Sequence, residues 1–527
     1  MGALLIISNV SFKNQLHLRF IFKNNLKINR YNAERLSNGL HRTAEMKFGP
    51  GGIMLEPYHS HLADVASGKY WTPRHASRHL KDIMHVHNPD ISKNIMLGDV
   101  ATIYTRLLKA VKSGKLITRN GKLLPIHHTK GLEPLANTVE ATDISVNPMW
   151  YDSAGLHNMG HLVIGLTEDP AWKYKKPPGV MSEVATSMRD PIFYNYHTVI
   201  NNIFEKYKQT LSPYKVVGGE YPLLWKGVEI LDVEVVSKGN GPLNQLKTFW
   251  TKKKFELAPS VDKSTDHGGD AHICAVHLAH EPFTFKITID RKSCAKSKSG
   301  KGTVRIFMAP RYDEKGRRLH LKEQRLLMFQ LDAFQAKLRP GRNIITRRSH
   351  DSSLTMPWTK SLRDYEYNDA TGAADFCGCG WPQHLYIPKG SPKGLPFDLF
   401  VMVTNFDEDY VPEHPKDLAI PETCNSPYIF CGLPKRRYPD ARPMGYPFDR
   451  PTYKTPIPCI PGHSFSSKIC KSFNLIFYKP IDTLEQFVAR APNMKSIVFD
   501  IKHIDKLVGH HHHHRRSYFE PSSIEQT

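Results

Sequence analysis

The first half of this chain has no cysteine. All eight fall from Cys274 onward, so any disulfide framework or thiolate metal site belongs to the second half. No apolar run approaches the roughly 20 residues needed to span a bilayer, which argues against a membrane partner. The start, MGALLIIS, has a short apolar core with no basic segment before it and no clear cleavage site after it, so it does not read as a secretory signal. It also lacks the Ser or Thr at the sixth position that myristoylation needs. Basic residues outnumber acidic ones by 72 to 50, for a net charge of +22. They are nevertheless scattered in short clusters such as Lys292–Lys301 and Lys435–Arg437, with no helical stripe and no nucleic-acid motif. That pattern reads as solvated surface, and nucleic acid is not expected as a partner. No internal repeat is visible.

What is present describes a globular chain of more than one core. It has 527 residues, 40% hydrophobic and 10% aromatic. The first part is helical in period. Val100, Ile103, Tyr104, Leu107, Leu108 and Val111 fall on one helical face, with Asp99 expected as N-cap and Gly114 just past the end. Asp190-Pro191 opens a second helix through His197, Ile200 and Phe204 to about Leu211, and Ser212-Pro213 closes it. Beyond a boundary near residue 215 the period changes. Val228–Val236, Phe283–Ile289, Val304–Met308 and Phe397–Thr404 read as strands. Helices followed by strands predict an α+β multidomain protein, with a helical domain before an antiparallel β-sandwich. The Pro-rich stretch Pro434–Pro461 is expected as an ordered surface excursion.

The chemistry concentrates in three histidines. His157 and His161, in LHNMGH, are four residues apart and share a helical face; His197, in DPIFYNYH, lies on a second helix. Three converging imidazoles would make an all-nitrogen cup suited to copper, zinc or iron. The spacing alone is common, and a pair of surface histidines is the plain alternative. The apolar neighbours Leu156, Met159, Leu162, Val163 and Ile164 sharpen the metal reading, because an unpaired imidazole is costly to bury there. A zinc protease would carry Glu directly after the first histidine, where this chain has Asn158, so that reading loses its general base. In the second half, Cys377-Gly-Cys379 followed by Cys424 and Cys431 fits a zinc ribbon poorly. Two neighbouring disulfides in an oxidising, extracellular setting read better, with the connectivity open. The run His510–His514 resembles a tag and is set aside from any site.

LHNMGH, GVMSEVATSMRDPIFYNYH, FCGCGWPQH and YPDARPMGYPFDRP together resemble the arthropod hemocyanin and prophenoloxidase superfamily. The likeness runs from about residue 30, at RYNAERLSNGL, to about residue 500, through EPFTFKITI and VRIFMAPRYDEKG. The resemblance implies a helical copper domain over 26–214 and an immunoglobulin-like domain over 215–505, between a leader at 1–25 and a His-rich tail at 506–527. It implies that His157, His161 and His197 are the ligands of the second copper, copper B. It also implies that Glu183 lies beside the active site and, with Asn158, positions a water that takes a phenol proton. A loop carboxylate bound to Arg189 is the plainer role for Glu183, and fixing a histidine or a turn is the plainer role for Asn158. The resemblance pairs Cys377 and Cys379 with Cys424 and Cys431, as Cys377–Cys424 and Cys379–Cys431. CGCGWPQ also looks like a thioester motif joining Cys379 and Gln383, which a disulfide at Cys379 would exclude.

The family's first copper site belongs upstream of RYNAERLSNGL, where this chain has only His17 and no matching histidine pattern. The chain therefore reads as N-terminally truncated before its copper B half, with His85, His87, His127 and His128 poor replacements for the missing ligands. Three functions follow from the resemblance. The first is a phenoloxidase-like type-3 copper oxidoreductase, acting on phenols or catechols with dioxygen in melanin formation and defence, inactive as written. The second is a hemocyanin-type oxygen carrier, and the third a non-catalytic storage or structural protein. Hemolymph is the expected location, and dimers or hexamers the expected assemblies.

Overall fold

The computed structural model describes residues 28–36, 38–48, 54–58, 71–84, 94–141, 145–151, 155–238, 241–256, 272–356, 381–410, 441–443, 445–453 and 481–508. The leader, His85, His87, residues 509–527 of the His-rich tail and all cysteines except Cys274 and Cys294 lie outside these residues.

The helical part is built on four helices: α1 (Leu97–Ser113), α2 (Leu132–Val139), α3 (Leu156–Gly165) and α4 (Ile192–Lys208). On α1 the expected face is the buried one, with Val100, Ile103, Leu107, Ala110 and Val111 in the core. Gly114 closes it at φ 69°, a left-handed conformation that glycine adopts without a Cβ penalty. The start differs from expectation. Met96 is the cap residue, and the Asp82 carboxylate accepts the Leu97 N–H at 2.7 Å. Asp99 stands instead in the first turn, where its charge complements the helix dipole. α4 ends at Lys208, three residues early, and 209–210 continue as a turn.

At the head of α4, Asp190 has two functions. One carboxylate oxygen accepts the Ile192 N–H at 3.1 Å, and the carboxylate as a whole takes a bidentate pair from Arg74 at 2.7 Å to each oxygen. Both side chains are buried, so this ion pair pins residues 71–84 to the helical core.

The second part is a sandwich of nine strands: β1 (Val228–Ser237), β2 (Gln245–Glu256), β3 (His272–His280), β4 (Phe283–Arg291), β5 (Lys301–Pro310), β6 (Phe329–Lys337), β7 (Gly341–Arg348), β8 (Leu395–Asn405) and β9 (Met494–Val508). One sheet has the order β6-β5-β8-β9-β2-β3 and the other β7-β4-β1. Pairing within both sheets is antiparallel except between β9 and β2, which run parallel. Alternate residues of the facing strands, among them Ile230, Phe285, Ile287, Ile306, Leu399 and Val401, fill the space between the sheets.

The opposite face of β5 and β8 is also buried. Phe307, Phe400 and Met402 pack under Tyr446, Phe448, Leu484 and Phe487. The described part of the Pro-rich stretch is thus a packed layer over the sheet rather than a surface excursion. The two parts of the molecule meet where Arg325 pairs with Glu205 of α4.

Candidate metal centre

The site is set by how α3 meets α4. On α3, Leu156, Met159, Val163 and Ile164 turn into the core and carry His157 and His161 with them, one turn apart. On α4, Phe193, Tyr196, Ile200, Ile203 and Phe204 form the buried face that holds His197. Tyr196 locks the two helices together. Its hydroxyl donates to the carbonyls of Leu156 and, at 3.1 Å, His157. Its ring lies where a side chain at residue 160 would stand, so Gly160 is what permits the close approach.

The three rings converge through their Nε2 atoms. His197 Nε2 is 3.4 Å from that of His157 and 3.2 Å from that of His161, and the donor atoms all lie within 4.8 Å of one another. Ligands held tetrahedrally at about 2.0–2.1 Å from a metal stand about 3.3–3.4 Å apart, so these separations already match a coordination shell. The outer nitrogens fix the tautomers on α3. His161 Nδ1 donates to the Met181 carbonyl at 2.7 Å, and His157 Nδ1 donates to the Glu140 carboxylate at 2.9 Å. A carbonyl or carboxylate can only accept, so both Nε2 atoms present lone pairs.

Burial pushes the His161 pKa down to about 4, with the neighbouring His157 adding to the effect. The His161 ring is therefore neutral at physiological pH, as a ligand must be. Phe193 stacks on His197 with ring centres 3.8 Å apart, and His157 and His197 are nearly inaccessible to solvent. The all-nitrogen, desolvated donor set fits a borderline divalent ion such as copper or zinc.

The sequence-predicted ligands therefore stand together. Asn158 lies on the exposed side of α3. Glu183 is half-buried between a 3₁₀ turn (Val180–Ser182) and a short helix (Val184–Ser187), its carbonyl accepting the N–H groups of Thr186 and Ser187. His127 turns to the Gly114 carbonyl at 3.2 Å, and neither it nor His128 joins the trio, which is the one such cluster among the described residues. Glu140, just past the end of α2, went unseen in the sequence. It lies 17 residues before His157, and no spacing rule links the two. Cys274 and Cys294 are exposed free thiols, whereas Cys377, Cys379, Cys424 and Cys431 lie outside the described residues. No described helix is long and apolar enough to cross a membrane.

Comparison with known proteins places this geometry in context. A family model described as "Hemocyanin, copper containing domain" matches residues 13–204, and one described as "Hemocyanin, ig-like domain" matches residues 220–465. The chain is 35% identical to phenoloxidase 2 of Drosophila melanogaster over 82% of its own length and 61% of that protein. It is also 35% identical to the hemocyanin F chain of Aphonopelma sp., over 80% of its length and 62% of the relative's. Among solved structures, a scorpion hemocyanin in its activated state superposes with a TM-score of 0.74 and 31% identity, covering 94% of this chain and 70% of the other.

Proposed function

The chain belongs to the hemocyanin and phenoloxidase superfamily of type-3 copper proteins, and from that premise we propose that His157, His161 and His197 hold one copper ion, the copper B half of a phenoloxidase-like oxidoreductase. The observation that carries this reading is the convergence of three Nε2 atoms, at 3.2 and 3.4 Å across the α3–α4 contact, with His157 and His197 buried. When bound, copper supplies one-electron redox chemistry and, as one of a pair, the capacity to take up dioxygen. The protein's own contribution is to exclude water, orient the rings and manage protons. In that reading Glu183 and Asn158 hold the water that accepts a phenol proton.

The chain spans 61% and 62% of the two relatives compared above. A dinuclear centre needs a second histidine trio, and the described residues contain only this one. The proposal is therefore that the chain as written is inactive towards phenols and catechols. Reversible oxygen carriage is the second reading, favoured by the equal identity to a hemocyanin chain. The remaining proposals are a copper domain at 26–214, a sandwich domain at 215–505, a location in hemolymph, assembly as dimer or hexamer, and disulfides Cys377–Cys424 and Cys379–Cys431.

The deciding experiment measures copper per chain and intact mass on protein purified from its source, followed by catechol oxidation. Two coppers, a larger mass and turnover support the oxidase in a longer form. Two coppers with reversible oxygen uptake and no turnover favour the carrier. One copper at the mass of this sequence supports the inactive half-site, and no copper would overturn the metal reading.

A further inference from the structure

We propose that Glu140 is the positioning residue of this centre: its buried carboxylate accepts the His157 Nδ1–H, holds that ring with its Nε2 lone pair towards His161 and His197, and offsets part of the charge of a bound divalent ion. The inference rests on the metal reading above and names the residue that makes the cup competent.

The contact is short and dry. His157 Nδ1 and Glu140 Oε2 are 2.9 Å apart, and the two side chains are only 7% and 10% exposed. A hydrogen bond to a carboxylate in such surroundings is stronger than one to a neutral acceptor, and it raises the basicity of the far nitrogen. His161 is supported differently, by the uncharged Met181 carbonyl. Of the two ligands on α3, then, His157 alone is backed by a charge.

The backbone is shaped to bring that charge in. Glu140 follows α2 and His157 lies in the first turn of α3, and Gly155, the cap residue of α3, stands between them at φ 77°. A Cβ on Gly155 would lie 2.9 Å from the Glu140 carbonyl carbon, so a glycine is required where the two segments touch.

Charge balance assigns the role. Three neutral imidazoles supply no charge, and an uncompensated divalent ion in a buried site is costly.

The test measures Cu(II) and Zn(II) affinity of the full chain by chelator competition, for wild type, Glu140→Gln and Glu140→Ala, with urea unfolding of each metal-free protein and the Cu(II) EPR spectrum. Gln keeps an acceptor for the Nδ1–H but removes the charge, whereas Ala removes both. The expected result is a loss of about 10–100-fold for Glu140→Ala, an intermediate loss for Glu140→Gln, and an altered EPR spectrum in the alanine variant alone. Wild-type affinity in Glu140→Ala overturns the inference while leaving the metal site intact. So does a loss that only tracks the folded fraction, since that is a structural role. If Glu140→Ala does not fold, Glu140→Gln decides on the same measure, and wild-type affinity in it overturns the charge role. Failure of the wild type to bind either metal overturns the metal reading and this inference with it.

Discussion

Gly160→Ala in α3 should reverse the usual sign of that substitution. In an ordinary helix interior, alanine is favoured over glycine by about 0.8–1 kcal/mol, because glycine loses more backbone freedom on folding. At residue 160 the new Cβ would overlap the Tyr196 ring, which is buried and hydrogen-bonded through its hydroxyl to Leu156 and His157. Overpacking of this kind costs about 1–3 kcal/mol. If the ring moves, the tyrosine hydroxyl loses its partners at a further cost of about 1–3 kcal/mol. With both costs, subtracting the helix gain leaves a net destabilisation of roughly 1–5 kcal/mol, readable as a lower urea midpoint of the metal-free protein with unchanged slope. Metal affinity should fall as well, since the same contact sets the distance between α3 and the His197 ring. The control is the double variant. Once Tyr196→Ala has emptied the space, Gly160→Ala should become stabilising by about 1 kcal/mol, which is the coupling expected of residues in contact. A single variant as stable as wild type or more so, with full metal affinity, would refute the reasoning.

Two further outcomes follow from buried charge. Arg74→Ala strands the Asp190 carboxylate beneath residues 71–84 and should cost about 3–5 kcal/mol by urea unfolding, whereas a cost below about 1 kcal/mol would mean that the pair is solvated. His161, held near pKa 4 against an ordinary 6.5, stays neutral in the folded metal-free protein while the unfolded chain takes up a proton. Its contribution is therefore complete above about pH 6.5 and erodes as pH falls towards 4, by roughly 3 kcal/mol at most. His161→Gln should flatten the stability profile over that window, and an unchanged slope in urea titrations at successive pH values would count against it.

How much of this was legible in the sequence depended on whether a residue's neighbours lie close along the chain. The paired histidines of α3 were readable because residues four apart share a face, and His197 because Asp190-Pro191 marks a helix start. The fold class was readable from the change of period near 215. Among the strands, those found were β1, which alternates between buried and exposed residues, and the more deeply buried β4, β5 and β8, of which β5 and β8 are covered on both faces and so near-continuous in apolar residues. The unread strands were the polar or peripheral ones. β7 is an edge strand whose residues alternate between exposed and half-buried, and β2 carries KTFWTKKKFE, in which charge hides the alternation. The parallel pairing of β9 with β2 had no local signal, since it joins residues 245–251 to 500–508. The metal centre divides along the same line. His157 and His161 follow a helical period, but the carboxylate behind His157 arrives through a turn made possible by a missing Cβ at Gly155, and a missing atom leaves no periodic trace. Second-layer groups of this kind are found by asking which glycine lets two segments touch near a ligand, a question that needs the structure before the sequence can answer it.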